Sequence, residues 1–253
     1  MRVRAGTSGF AYKEWKGSFY PEDLPASAML RYYARQFATV EINNTFYRMP
    51  SEQVLRQWAQ QVPAGFRFVL KASRQITHIQ RLKEVAGPVA YLTRTAATLG
   101  EHLGPILFQL PPNLKQDLPR LEAFLPLIPG GCRAALEFRH ASWFEDDVFD
   151  ALHRANAALC LAESDEDELD VPRVATADWG YLRLRRQDYG ARELRGWADW
   201  LRRQHWSEAF VFFKHEEAGT GPKLARRFLE LVEADRKKTP PKTKAPPRGR
   251  ARR

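Results

Sequence analysis

Several short apolar runs in this chain end on residues that can bind ions or move protons. Glu41 and Asn43 alternate with Val40 and Ile42, Lys71 follows Val69-Leu70, and Gln109 follows Leu107-Phe108. Glu137 and Arg139 flank Phe138, and Arg183 sits between Leu182 and Leu184. Side chains alternate faces along a strand, so each of these residues shares the face opposite its apolar neighbours. Glu or Lys buried without a partner is costly or shifts its pKa, so such groups must be paired or hold a ligand. A bland reading pairs Glu41 with Lys71 and Glu137 with Arg139. Polar residues on five strands at once favour a ligand site.

Two carboxylates, Glu41 and Glu137, stand against four cations, Lys71, Arg139, Arg183 and Arg185. A net-positive pocket with planar guanidinium groups suits a phosphorylated or carboxylated ligand. The expected chemistry is metal-free acid–base catalysis. Glu41 and Glu137 are the acid–base candidates, Lys71, Arg139 and Arg183 hold the anion, Asn43 and Gln109 orient it, and His78 shuttles protons. Gly6-Thr7-Ser8-Gly9 forms a Gly-flanked turn suited to presenting backbone N–H groups to an anion, which adds Thr7, Ser8 and Gly9 to the binding candidates. Tyr47 and Trp143 are candidates for stacking on a substrate ring, and His215 closes the last strand. The histidines show neither HxH nor HExxH spacing, so no metal and no cofactor is expected. Glycoside cleavage would instead need Glu41 and Glu137 roughly 5–9.5 Å apart.

The elements that must position these groups are strands at 3–8, 40–46, 66–73, 106–110, 134–139, 158–163, 181–185 and 209–215. They are rich in β-branched and aromatic residues. Helical stripes lie between most of them, such as Leu30, Tyr33 and Phe37 within 27–37, and Leu194, Trp197, Ala198 and Leu201. Ser51 precedes another helix, with Glu52 in its first turn. Eight strands with alternating helices in one chain of 253 residues predict a single-domain α/β (β/α)8 TIM-type barrel. A doubly wound open sheet fits the alternation less well, because no GxGxxG or P-loop follows a strand. The C-terminal mouth of such a barrel is where the polar strand ends would gather.

The net charge of +10 divides unevenly. Residues 236–253 hold nine Lys or Arg and no acidic residue, and subtracting nine from ten leaves +1 for residues 1–235. The segment 236–253 also holds four prolines and no large apolar residue, so it is expected to be disordered beside a barrel domain at 1–235. Such a tail contacts nucleic acid weakly and without sequence preference, through counterion release. The two cysteines, Cys132 and Cys160, are too few for a disulfide framework or metal knuckle. No apolar run is long enough to span a bilayer, and no signal-peptide pattern opens the chain. A cytoplasmic protein with no membrane partner is expected.

Longer motifs carry a family resemblance. Gly6-Thr7-Ser8-Gly9-Phe10, Trp15-Lys16-Gly17-Ser18-Phe19-Tyr20-Pro21 and the run from Val40-Glu41-Ile42-Asn43-Asn44-Thr45-Phe46-Tyr47-Arg48 to Met49-Pro50 resemble the YecE-like family, domain of unknown function 72. Lys71-Ala72-Ser73 with Ile76-Thr77-His78, Phe108-Gln109-Leu110-Pro111-Pro112, Glu137-Phe138-Arg139-His140 with Ser142-Trp143-Phe144, and Tyr181-Leu182-Arg183 continue it in order. The resemblance covers essentially residues 4–232. It implies a (β/α)8 barrel and a site at these motifs, but no reaction. Two departures, Leu184-Arg185-Arg186-Gln187-Asp188 and Phe213-Lys214-His215-Glu216-Glu217, add charge where relatives have a His-Gly pair and an Asn-rich strand end.

The expectation is an uncharacterised barrel that binds a small anionic ligand and acts on it as a hydrolase or lyase, the substrate being phosphorylated or sugar-like. The alternative is a non-enzymatic metabolite- or nucleic-acid-binding protein whose basic tail contacts polyanions.

Overall fold

The computed structural model describes residues 1–165, 169–214 and 219–238. Eight strands run β1 Arg2–Thr7, β2 Thr39–Ile42, β3 Arg67–Lys71, β4 Leu103–Gln109, β5 Ala134–Glu137, β6 Ala158–Glu163, β7 Trp179–Leu184 and β8 Glu208–Phe213. Seven α-helices alternate with them among the described residues: α1 Met29–Ala34, α2 Glu52–Gln60, α3 Ala86–Ala96, α4 Leu118–Phe124, α5 Asp146–Arg154, α6 Ala191–Arg202 and α7 Thr220–Lys238. Every strand pairing is parallel, in the order β1-β8-β7-β6-β5-β4-β3-β2. This is the expected barrel, with strands buried on both faces.

Closure between β1 and β2 is unusual. A single bridge joins Ser8 to Glu41. Below it the Tyr33 hydroxyl, from α1, accepts from the Thr7 amide at 2.8 Å and donates to the Thr39 carbonyl at 3.1 Å. A side chain thus substitutes for the missing ladder bonds, which would otherwise leave buried backbone groups unpaired. Gly6 is required here, because a Cβ would lie 2.2 Å from the Thr39 oxygen.

Alternation separates two apolar cores. Val40, Ile42, Phe68, Leu70, Phe108, Leu182 and Val211 face the helices, while Val69, Leu107, Ala135, Ala158, Cys160, Trp179, Tyr181, Phe210 and Phe212 fill the barrel. The interior is therefore a packed plug whose polar groups are confined to its two ends.

Three expectations change. The second strand stops at Ile42 because Asn43 turns into helical backbone and 44–46 form a 3-10 turn. Thr45 consequently leaves the barrel axis, and its hydroxyl bonds the Ile42 and Lys71 carbonyls at 2.9 and 2.7 Å. The last strand, apolar on both faces, stops at Phe213, and His215 lies outside the described residues. The first three residues of the basic segment continue α7 through Lys238, and 239–253 lie outside the described residues. Among the described residues no helix is long and apolar enough to cross a membrane.

Candidate active site at the barrel mouth

The last inward position of β2, β3, β4, β5 and β7 is polar, and together they form one connected network. Arg183 lies at its centre, almost completely buried. One terminal nitrogen donates to Glu137 Oε2 at 2.6 Å and the other to Glu41 Oε1 at 2.9 Å. Both carboxylates are fully buried. Glu41 also accepts from Ser8 Oγ at 2.7 Å, Asn43 Nδ2 at 3.1 Å and Tyr181 Oη at 2.5 Å. Glu137 also accepts from Gln109 Nε2 at 2.7 Å and Arg185 at 3.3 Å. With its amide nitrogen committed to Glu137, Gln109 turns its oxygen to Lys71, whose Nζ donates at 2.8 Å.

The electrostatics follow from these partners. Burial alone would push both carboxyls up, but Arg183 and the converging donors outweigh it. Glu41 is held below the ordinary carboxylate range and Glu137 is held at about 2. The Arg183 guanidinium stays charged despite burial because two carboxylates face it. Tyr181 stays protonated, raised by burial and by the Glu41 charge it donates to. Lys71 moves the other way: burial, then repulsion from Arg183, lowers it to about 8. Among the described residues no carboxylate lies within ion-pair distance of Lys71. Its neighbours are the neutral Gln109 oxygen and the face of Phe46, whose centroid is 4.4 Å from Nζ.

His78 sits on a π-helical turn, Gln75–Ile79, that follows β3, and its ring meets Phe46 edge-on at 4.8 Å. Burial, then the nearby Lys71 and Arg139 charges, lower its pKa. The turn is followed by Arg81, Leu82 and Glu84 in left-handed backbone, a concentration of strain typical of functional loops. Arg139 and Arg185 line a small cleft above Glu137, with Phe138, Ala162, Ser164, Leu169 and Val171.

Several expected partners and roles change. Glu41 does not pair with Lys71, nor Glu137 with Arg139; the long Arg183 side chain reaches both carboxylates across the axis. Its guanidinium occupies the gap between them where a glycosidic oxygen would have to lie, so they do not form a two-carboxylate glycosidase pair. The amides expected to hold an anion are already used. Thr7 donates to Tyr33, Ser8 to the Phe213 carbonyl at 3.0 Å and Gly9 to the Glu41 carbonyl at 2.8 Å. The Thr7 hydroxyl faces the α1 seam, 2.6 Å from the Gly9 carbonyl, and Gly9 adopts left-handed backbone at φ +98°. These residues close the barrel, and Ser8 alone reaches the network.

Trp143 is fully buried, stacked on Phe138 with centroids 4.6 Å apart, and its indole donates to the Leu114 carbonyl at 2.8 Å. It is core, not a platform for substrate. Tyr47 is 74% exposed, on an open groove with Met49, Pro50, Val54 and Tyr91, and its ring meets Phe46 edge-on at 5.0 Å. Tyr181 is the network member that sequence reasoning missed. Its spacing two residues before Arg183 puts it on the same face, and that signal was available.

Among the described residues no three His, Cys, Asp or Glu side chains converge as metal ligands. Cys160 Sγ lies 3.9 Å from Glu137 Oε2, and burial keeps the thiol protonated.

Comparison with known proteins places the chain. Residues 4–250 match the family model described as "Protein of unknown function DUF72". The UPF0759 protein YecE of Escherichia coli (strain K12) is 33% identical over 116 residues, 46% of this chain and 43% of the relative. The match thus spans less than half of that relative's length. The UPF0759 protein YunF of Bacillus subtilis (strain 168) is 24% identical over 86% of this chain and 91% of its own. A crystal structure of a DUF72 family protein from Thermotoga maritima MSB8 superposes with a TM-score of 0.83 and 27% identity, covering 92% of this chain and all of that one.

Proposed function

Since the chain belongs to the DUF72 family of proteins of unknown function, we propose a function from its own residues: the mouth of the barrel binds a small phosphorylated or carboxylated substrate and turns it over by acid–base chemistry. The observation that carries this reading is the setting of Lys71. Among the described residues its amine meets the neutral Gln109 oxygen and the face of Phe46 and no carboxylate, and Arg139 and Arg185 line the cleft above Glu137. A bound anion would balance the Lys71 charge, and guanidinium groups hold carboxylate or phosphate oxygens with two parallel bonds.

The pairing of Arg183 with both carboxylates redistributes the proton-transfer roles. A carboxylate at about 2 is a weak base at neutral pH, so Glu137 serves better as a fixed charge that orients Gln109 and Arg183. Glu41, held low by the same guanidinium, has the corresponding role. Lys71, at about 8, is matched to exchanging a proton near neutrality, and His78, lowered from its ordinary value, is a neutral imidazole at pH 7 that can accept one. This is the pattern of a hydrolase or lyase on an anionic substrate.

Calorimetric titration of the full chain with inorganic phosphate, pyruvate and glycerol 3-phosphate tests the binding step. At least one should bind, and Arg139→Gln should weaken it roughly 10- to 100-fold, the worth of a charge-assisted hydrogen bond. Binding that is indifferent to Arg139 and Arg185, or absent for all three probes, refutes the reading.

A further inference from the structure

Resting on that reading, we infer that Lys71 is a nucleophile that forms a Schiff base with the carbonyl group of an anionic aldehyde or ketone, a 2-oxo acid or a phosphorylated sugar fragment. Three features of the geometry point there. The amine sits at the end of β3, half-buried, and among the described residues its one hydrogen-bond partner is the neutral Gln109 oxygen at 2.8 Å. A neutral amine keeps that bond with one of its hydrogens and retains a lone pair, whereas a carboxylate partner would hold it as an ammonium. The Gln109 oxygen is fixed in this role because its nitrogen is committed to Glu137. Second, the Arg183 guanidinium and the burial of the site both disfavour a charged amine, which is how nucleophilic lysines are activated.

The third feature is Phe46. Its ring carries Lys71 over its face and His78 at its edge, so nucleophile and proton carrier share one platform. Thr77 Oγ1 lies 3.3 Å from the Ser73 carbonyl and 2.9 Å from His78 Nδ1. With its single proton donated to that carbonyl, Thr77 accepts from Nδ1–H and leaves Nε2 as the proton acceptor. The steps balance without a redox partner. The Nζ lone pair adds to the carbonyl carbon, and the carbonyl oxygen takes a proton to give a carbinolamine. Loss of that oxygen as water leaves a protonated imine, so a carbonyl and an ammonium become an iminium and water. The iminium is itself a cation, which the Phe46 face favours. It draws the electron pair of a C–H bond on the neighbouring carbon into a C=C bond while the C=N pair moves onto nitrogen, giving a neutral enamine, and His78 takes the proton released. Arg139 and Arg185 would hold the phosphate or carboxylate.

The test is reductive trapping. The full chain is incubated with pyruvate, glyoxylate, dihydroxyacetone phosphate or glyceraldehyde 3-phosphate and sodium cyanoborohydride, then analysed by intact mass and peptide mapping. The expected result is a single adduct on Lys71 with at least one probe, lost completely in Lys71→Arg. That variant keeps the cation but cannot form the imine, so calorimetric binding of the same probe should persist. A second variant, Gln109→Leu, removes the partner without removing the amine, and should slow adduct formation at Lys71. Probes that bind but leave no adduct on Lys71 overturn the Schiff base and leave the anion-binding reading standing. Adducts spread over surface lysines to the same extent in wild type and Lys71→Arg also overturn it. Failure of every probe to bind overturns both.

Discussion

The two ends of the barrel solve the same electrostatic problem in opposite ways. At the N-terminal end one carboxylate serves two guanidiniums: Glu208 accepts from Arg4 at 2.5 Å and from Arg133 at 2.7 Å. Arg4 also donates to the Ala38 and Gly65 carbonyls, tying the starts of three strands together. At the C-terminal end one guanidinium serves two carboxylates, Arg183 between Glu41 and Glu137. The lower cluster borders a cavity of about 310 Å³ with Arg67, Glu101 and Phe210, yet its central carboxylate is fully committed to ion pairs and Arg4 to backbone carbonyls. The upper cluster encloses less space but leaves Lys71, among the described residues, hydrogen-bonded only to an amide oxygen. Of these two clusters, the one beside the larger cavity is therefore not the one that holds the unpaired amine. A site is marked by which charges lack a counter-charge, and not by which hole is larger.

The comparison can be broken most sharply at Arg183. Arg183→Met strands two buried carboxylates, and should cost about 3–5 kcal/mol in urea-induced unfolding. A loss below about 1 kcal/mol would mean the carboxylates find other partners, and the central role of Arg183 would fall. Glu208→Gln comes next. The lower cluster is less deeply buried and Arg4 keeps its carbonyl acceptors, so about 1.5–3 kcal/mol is expected. Ligand binding at the mouth should not change with it. If Glu208→Gln abolishes anion binding, the lower cavity is the binding site and the assignment of the two ends reverses.

Titration sharpens the contrast with a smaller effect. Glu137 has a lower pKa folded, about 2, than the ordinary 4.5 of a glutamate. The unfolded state therefore binds more protons between these values, and stability present above 4.5 is lost as pH falls toward 2. Glu137→Gln should flatten that acid limb in denaturant unfolding at successive pH values; an unchanged limb would mean that other carboxylates dominate it. Lys71 falls from 10.5 to about 8 on folding, so here too the unfolded state binds more protons, between 8 and 10.5. Stability should rise with pH across that window, and Lys71→Met should remove the rise. A slope that survives the substitution would place the titration elsewhere.

What could be read in advance was parity. Eight alternating βα units without a nucleotide-binding glycine motif favoured a barrel, and the period of two along each strand put Glu41, Lys71, Gln109, Glu137 and Arg183 on the inner face before any contact was known. The same rule applied to Tyr181, although its hydroxyl became visible as a site group only beside Glu41. Parity works because it depends on the backbone of a single strand.

Pairing does not. Neighbouring strands suggested Glu41 with Lys71, but the closed ring brings β7 near both β2 and β5, and a long guanidinium reaches across the axis to both acids. The turn at Thr7, Ser8 and Gly9 looked free to hold an anion, yet its amides close the barrel with Tyr33, Phe213 and Glu41, residues remote in sequence. Trp143 looked like a rim aromatic until Phe138 and Leu114 enclosed it. The sequence by itself determined the barrel and the inward face of each strand, because those follow from local periodicity and burial. Only the tertiary structure decided which charge neutralises which and which amides remain to bind a ligand, because those depend on distances across the barrel that no local pattern encodes.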